Sequence, residues 1–115
     1  MPTMSQLETQ AQGALDQTNQ TANPVEKFCM LWNTIINPAL ELVKVITGPK
    51  VDAQIVRIQT AVSGVCSGQS GGVQKFCAIW PTLKPMLRAL EIFTPSKVDK
   101  AIDQFIAIAD GLCHE

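Results

Sequence analysis

The chain has little of what most binding and catalytic sites are built from. Its 115 residues include no tyrosine, two tryptophans and a single histidine, and charged residues make up only 17%. The net charge is −1, and no cluster of lysine or arginine stands out. A nucleic-acid surface needs clustered positive charge and often aromatic side chains on which bases stack, so we predict no nucleic-acid partner.

Long apolar runs are also absent. The most apolar window, residues 28–46, is interrupted by polar side chains that include Asn33, Asn37, Glu41 and Lys44. We therefore predict no transmembrane segment. The first residues have neither the basic nor the apolar part of a secretory signal peptide, so we expect none here. The glycine-rich stretch 67–72 lacks the Gly-Lys-Ser/Thr ending of a phosphate-binding loop, which excludes that motif.

The titratable residues form no pattern typical of catalysis. Aspartates and glutamates are scattered over the predicted polar faces of helices, where they are solvated charges. Asp52 and Asp99 fall in the first turns of predicted helices, where a carboxylate stabilises the helix end. His114 follows Cys113 directly, and neighbours in sequence rarely point at each other. We predict that the protein is not an enzyme and needs no cofactor or metal.

What the chain does contain is an internal repeat. Residues 25–66 align with residues 73–113, and about a third of the aligned positions are identical, far above chance. Matched residues are 48 positions apart as far as Thr34 and Thr82, and 47 apart after a one-residue deletion in the second copy, near Asn37. The matches include Phe28 with Phe76, Cys29 with Cys77, Trp32 with Trp80, Pro38 with Pro85, Asp52 with Asp99 and Cys66 with Cys113.

Each copy has the apolar spacing of two helices joined by a short turn. The first helix of copy one begins at Asn23-Pro24, since asparagine is a good cap and proline suits the first helical position. Apolar residues at intervals of three and four then predict its buried stripe: Phe28, Leu31, Trp32, Ile35, Ile36, Ala39, Leu40, Val43 and Ile46. The matching stripe in copy two is Phe76, Ile79, Trp80, Leu83, Leu87 and Leu90. Pro38, Pro81 and Pro85 are expected to kink or break these helices.

The N-terminal segment predicts a helical arm over residues 5–19. Its apolar stripe is thin and cannot hold the arm in place alone, so either the hairpins or a neighbouring molecule must order it. We predict that four residues of the stripe contact a partner: Met4, Leu7, Ala11 and Leu15. The glycosylation sequon at Asn19 is interpreted as a polar turn.

The four cysteines lie at equivalent positions of the repeat. Cys29 and Cys66 are nearly equidistant from the first turn, and Cys77 and Cys113 from the second, so each pair lies about 27 Å from a hairpin tip. Positions equidistant from a helical turn face each other, which predicts the disulfides Cys29–Cys66 and Cys77–Cys113. Each would close a loop of about 37 residues, worth about 3–4 kcal/mol. A zinc site would need close cysteine pairs that the chain lacks. Free buried thiols in a reducing compartment stay an alternative.

These features predict an all-α fold, a tandem repeat of two disulfide-closed αα-hairpins that form a pseudo-two-fold four-helix unit with an N-terminal arm. The predicted segments are the arm 1–23, hairpin 1 over 24–66, the linker 67–72 and hairpin 2 over 73–115. Trp32 and Trp80 lie on the apolar stripes one turn from a cysteine. They are predicted core residues beside the disulfides, or else they line a pocket for an apolar ligand.

The leading functional hypothesis is a non-enzymatic structural or assembly protein. It would be a minor component of a virion or another large extracellular particle, with its arm and helical faces contacting protein partners or further copies of itself. Disulfides persist in such oxidising settings, so we expect an extracellular or virion-exposed location. The alternative hypothesis is a small extracellular carrier of a lipid or other apolar ligand bound between the hairpins.

Overall fold

The computed structural model describes residues 4–20, 23–68 and 70–113, and these ranges are almost entirely helical. The elements are α1 (Met4–Gln20), α2 (Pro24–Leu31), a π-helical turn (Trp32–Ile36), α3 (Asn37–Ile46), α4 (Pro49–Cys66), α5 (Gly72–Leu90), a 3₁₀ turn (Glu91–Phe93) and α6 (Ser96–Cys113). No strand occurs in the described ranges, so the predicted all-α class is confirmed. Thr21 of the sequon and His114 lie outside them.

The start of α2 follows from its sequence. The Asn23 side-chain Oδ1 accepts hydrogen bonds from the backbone N–H groups of Val25 at 2.9 Å and Glu26 at 3.3 Å. Pro24 occupies the first helical position, where its missing N–H would have had no partner in the helix. Two of the free donors at this helix end are thus satisfied by one side chain.

Of the two disturbances predicted for the prolines, a kink or a break, the structure excludes the break. The segment Pro24–Ile46 is continuously helical, and the looser π-helical turn directly before Pro38 relieves the clash between the proline ring and the preceding turn. Helix α5 runs unbroken through Pro81 and Pro85. Both prolines are exposed, so water can reach the carbonyl groups that lose their helical donors.

Two disulfides tie the helices together in pairs. Cys29 of α2 is bonded to Cys66 at the end of α4, with 5.6 Å between their Cα atoms. Cys77 of α5 is bonded to Cys113 at the end of α6, with 5.3 Å between their Cα atoms. Both Cα distances lie in the usual disulfide range. The predicted pairing is confirmed, and the described residues contain no free cysteine.

The core lies where the two disulfide-bonded helix pairs meet. Phe28 contacts Phe76 edge-on, with ring centroids 5.2 Å apart, and stacks on Phe105 at 4.5 Å. All three rings are fully buried or nearly so. Helix α6 packs against α1, α2 and α5, and α4 packs along α5. Each described α-helix therefore contributes to a single apolar core.

Two residues of the predicted apolar stripes lie outside this core. Ile46 is 68% exposed because it is the last residue of α3, at the hairpin tip, where the helix pair ends. Ile79 is 38% exposed because it lies at the edge of the buried face of α5, which is formed by Phe76, Trp80 and Leu83. The other predicted members of the two stripes are buried.

The arm is part of the fold, which corrects the prediction for two of its residues. Leu7 and Ala11 are fully buried and Ala14 is 4% exposed, in contact with the core formed by the hairpins. The small alanine side chains let α1 approach α6 closely, so a thin apolar stripe suffices. Leu7 and Ala11 are thus core residues and not partner contacts in this fold. Met4 and Leu15 are partly buried at the edge of the core.

The helical segment Pro24–Ile46 is long and apolar enough to cross a membrane, judged by length and composition alone, with a mean hydropathy of 1.2 over its most apolar window. The central helix of a compact fold meets the same criterion. Here the segment supplies Phe28, Leu31, Ile35 and Leu40 to the core, all of them fully buried.

Candidate functional site

The two tryptophans belong to the core. Each is 4% exposed, with the Trp32 ring centroid 5.8 Å from that of Phe105 and the Trp80 centroid 5.1 Å from that of Phe76. Together with Phe28 these rings form one connected cluster between the disulfide-bonded helix pairs. The space where the sequence placed an apolar ligand is therefore occupied by aromatic side chains.

Trp80 is held by an ionic pair at the surface end of its ring. Its indole Nε1 donates to Asp110 Oδ1 at 2.7 Å, and Lys84 Nζ donates to Asp110 Oδ2, also at 2.7 Å. The carboxylate thus links α5 to α6 through both of its oxygens. Hydrogen bonds to an ionised acceptor are about twice as strong as neutral ones, so the pair fixes the ring and covers its edge.

A groove opens on the outer face of the first helix pair. It has a volume of about 760 Å³ and runs between the segment 32–41 and helix α4. Its lining is mostly polar: Trp32, Asn33, Asn37, Glu41, Val56, Gln59, Thr60, Ser63, Gly64, Cys66 and Ser67. The π-helical turn and the Cys29–Cys66 disulfide border it, so its walls are held by a cross-link and by two packed helices. We call this surface the π-turn groove.

A hydrogen-bond network fixes one end of the π-turn groove. Gln59 Nε2 donates to Glu41 Oε1 at 2.7 Å and to Asn37 Oδ1 at 2.9 Å. Lys44 Nζ lies 3.3 Å from both Glu41 Oε1 and Gln59 Oε1. The hydrogen bond from Gln59, followed by the contact with Lys44, lowers the pKa of Glu41 despite the opposing effect of burial. Glu41 is therefore an ionised, pre-positioned acceptor at neutral pH.

Apolar side chains are exposed at both hairpin tips. Val45 and Ile46 are 76% and 68% exposed at the end of α3, and Ile92 and Phe93 are 81% and 37% exposed in the 3₁₀ turn. We call these residues the tip pairs. Because exposed large apolar side chains cost free energy in water, adjacent pairs of them mark candidate contact surfaces.

The backbone behind each tip pair is fixed in the same way. Thr47 Oγ1 donates to Val43 O and to Asp52 Oδ1, at 2.9 Å and 2.8 Å. Thr94 Oγ1 makes the corresponding hydrogen bond to Asp99 Oδ1, and its backbone acceptor is Glu91 O, three residues back instead of four. The two aspartates lie in the first turns of their helices, as predicted, and each also anchors the turn before it.

Glu91, at the second tip, is a carboxyl group with an unusual environment. Burial, together with Asp103 and Asp99 nearby, raises the pKa of Glu91 to about 7, against a smaller opposing effect of Arg88. Its Oε1 atom is buried and has no hydrogen-bond partner among the described residues. The environment therefore favours the protonated acid, which avoids a second negative charge beside Asp103.

The described residues contain no group of three histidine, cysteine, aspartate or glutamate side chains that could hold a metal ion. Comparison of the chain with protein-family models, with curated proteins and with solved structures gave no match. The two disulfides are compatible with an oxidising, extracellular environment.

Sequence reasoning missed the π-turn groove. It treated Asn33, Asn37 and Glu41 as a solvated face, although they recur at helical spacing opposite Gln59 and Ser63 of the next helix. The available signal was a difference within the predicted repeat: the positions that align with Asn37 and Ser63 carry the charged residues Lys84 and Asp110. The tip pairs were also missed, because Ile46 was assigned to the core.

Proposed function

We propose that the protein is a non-enzymatic structural or assembly protein, a component of a virion or another large extracellular particle. The tip pairs carry this proposal: two separate exposed apolar surfaces occur on one rigid, disulfide-bonded fold. The arm was predicted to make these contacts, but two of its residues are buried in the fold. We assign the contacts with other copies of the chain to the tip pairs.

We also propose that the two hairpins are copies of one unit, related by a pseudo-two-fold axis. The tip pairs support this, because Val45 and Ile92 are 47 residues apart, as are Ile46 and Phe93, the same offset that relates Pro38 to Pro85. Each tip is followed by the same threonine–aspartate hydrogen bond. A duplicated unit gives a single chain two similar contact surfaces.

The energetics favour assembly through many weak contacts. Burying one exposed valine or isoleucine side chain fully stabilises a complex by about 1.5–3 kcal/mol, so one tip pair contributes about 3–6 kcal/mol before the cost of association. That is too little for a stable dimer through one tip. Each chain has two tips, so once one tip is bound in an assembly the other is held close to its own partner. Its binding is then effectively intramolecular, and this raises the overall affinity of the assembly.

The test is sedimentation velocity over a concentration series. The wild-type chain should form larger species as concentration rises, and the double variant Ile46→Ser with Ile92→Ser should stay monomeric. Ile79→Ser, which changes a partly exposed isoleucine on α5 away from both tips, is the matched control and should assemble like the wild type. A wild-type chain that is monomeric at every concentration, or a double variant that assembles normally, would overturn the proposal.

A further inference from the structure

The two hairpins differ at one point in length. Five residues separate Trp32 from Pro38, whereas four separate Trp80 from Pro85. The π-helical turn spans Trp32–Ile36, and a π turn holds one more residue than an α turn. Helix α5 is α-helical throughout the matching segment. The extra residue of the first hairpin is thus accommodated as the π turn that borders the π-turn groove.

The residues that cover the tryptophan edge in the second hairpin are replaced in the first. Lys84 and Asp110, which close over Trp80, stand directly before the matched proline and the matched glycine. At the corresponding positions the first hairpin has Asn37 and Ser63, and both line the groove.

Because Ser63 stands where the second hairpin has Asp110, the indole N–H of Trp32 lacks a carboxylate acceptor. Its indole N–H makes no hydrogen bond within the described parts of the chain. In those parts, the indole nitrogen is not one of the buried side-chain atoms that lack a hydrogen-bond partner. The nitrogen is therefore accessible to solvent. Trp32 is almost wholly buried and is one of the residues that line the groove, so part of its small exposed surface lies there. Trp32 is no more exposed than Trp80, at 4% each, so the shorter neutral side chains do not uncover the ring but leave its N–H without a charged acceptor beside a concave surface.

The groove presents hydrogen-bonding groups of both kinds. Glu41 is an ionised acceptor, Trp32 is a donor only, and Asn33, Ser63 and Thr60 can both donate and accept. Gln59 is already engaged with Asn37 and Glu41, which holds the wall in place before any ligand arrives. A ligand that complements such a surface needs atoms that donate and accept at once, at short spacing.

We propose that the π-turn groove is a binding site for a saccharide. Hydroxyl groups on different sugar units donate to Glu41 and accept from the Trp32 indole N–H, which lie nine residues apart along the helical segment, and the carboxamide of Asn33 can serve either role. The volume of about 760 Å³ accommodates a short oligosaccharide and lies within the range of small-molecule sites. The site is open to solvent, so a longer ligand can extend beyond it.

The test is a titration of the disulfide-intact chain with maltotriose, cellotriose and triacetylchitotriose, each up to about 10 mM to capture weak binding. Binding is followed by ¹H–¹⁵N amide shifts and by the Trp32 indole N–H resonance. At least one trisaccharide should shift the Trp32 indole resonance and the amides of Asn33 and Ser63, and should leave the Trp80 indole resonance unchanged.

A variant that copies the closed arrangement of the second hairpin tests the location. Asn37→Lys with Ser63→Asp should weaken binding at least about tenfold, because the new ion pair covers the Trp32 edge and takes its donor. Gln54→Lys with Gln74→Asp makes the same charge changes at exposed positions outside the groove and should bind like the wild type. Circular dichroism checks that both variants are folded.

The inference is overturned by either of two results. One is that none of the three trisaccharides shifts the Trp32 indole resonance or the groove amides. The groove would then be a solvated polar surface and not a saccharide site. The other is binding that persists undiminished in the folded Asn37→Lys, Ser63→Asp variant, which would place the ligand elsewhere. Neither result bears on assembly through the tip pairs, which is measured without saccharide.

Discussion

A close backbone contact between two helices gives the sharpest stability prediction. Gly72, the first residue of α5, lies against the end of α4, and a Cβ atom added there would be 2.5 Å from the carbonyl oxygen of Gly64 and 3.0 Å from its carbonyl carbon. Real Cβ contacts essentially never fall under 3.0 Å, so Gly72→Ala must push the helix ends apart by about half an ångström. The obstructing atoms are backbone, so no side-chain rotation can relieve the clash.

The expected size of the effect follows from two opposing contributions. Overpacking of this kind costs about 1–3 kcal/mol. Replacing glycine by alanine in a helix returns up to about 1 kcal/mol, and less at a helix start. We therefore expect Gly72→Ala to lower the free energy of unfolding by about 1–2 kcal/mol, or roughly 4–8 °C in Tm for a domain of this size.

Gly13→Ala is the matched control. Gly13 lies in the middle of α1, is exposed, and has nothing within 4 Å of its added Cβ atom. Only the helix-propensity gain applies there, so this variant should be more stable than the wild type by up to about 1 kcal/mol. Both variants are compared by thermal unfolding followed by circular dichroism with the disulfides intact. A Gly72→Ala protein that is as stable as Gly13→Ala would refute the close contact of α4 and α5.

Three further predictions concern charge and cross-links. Between pH 4.5 and about 7, Glu91 keeps its proton in the folded state but loses it in the unfolded state, so the free energy of unfolding should fall as pH rises through this window. In Glu91→Gln the free energy of unfolding should depend less on pH there. A pH dependence equal to that of the wild type would contradict the raised pKa of Glu91. Asp110→Ala should cost about 1–3 kcal/mol in denaturant unfolding, since the indole N–H of Trp80 loses its acceptor; no loss would show that the bond contributes nothing. Replacing Cys29 and Cys66 together by serine should lower the free energy of unfolding by about 3–4 kcal/mol for a loop of 37 residues, and a loss below 1 kcal/mol would contradict the loop-closure estimate.

The disulfide pairing could be predicted because it depends on arithmetic along the chain. Cysteines equidistant from a helical turn must face each other when the helices are antiparallel, whatever the packing of the rest. The helix start at Asn23 was equally local, since one side chain and the following proline define it. Features that depend on a few neighbouring residues, or on counting residues from a turn, are available from sequence.

Neither the burial of the arm nor the continuation of the helices through the prolines could be predicted from such local features. Leu7 and Ala11 are buried because two helix pairs leave room for a third, narrow layer, and that room exists only in the assembled fold. Pro38 was expected to kink or break its helix, and the helix continues without a break because the adjacent π turn absorbs the local clash. The groove exists because side chains of the two helices leave a space between them. The periodicity of apolar residues along each helix does not show where such a space will form.

The central claim is that two helix pairs, each closed by its own disulfide, make up a scaffold with exposed tips. Peptide mapping of the unreduced protein, after alkylation of any free thiol, tests it most directly. We predict cross-linked peptides that join Cys29 to Cys66 and Cys77 to Cys113, with no alkylated cysteine. Alkylation of the four thiols, or a peptide that joins Cys66 to Cys77, would contradict the account.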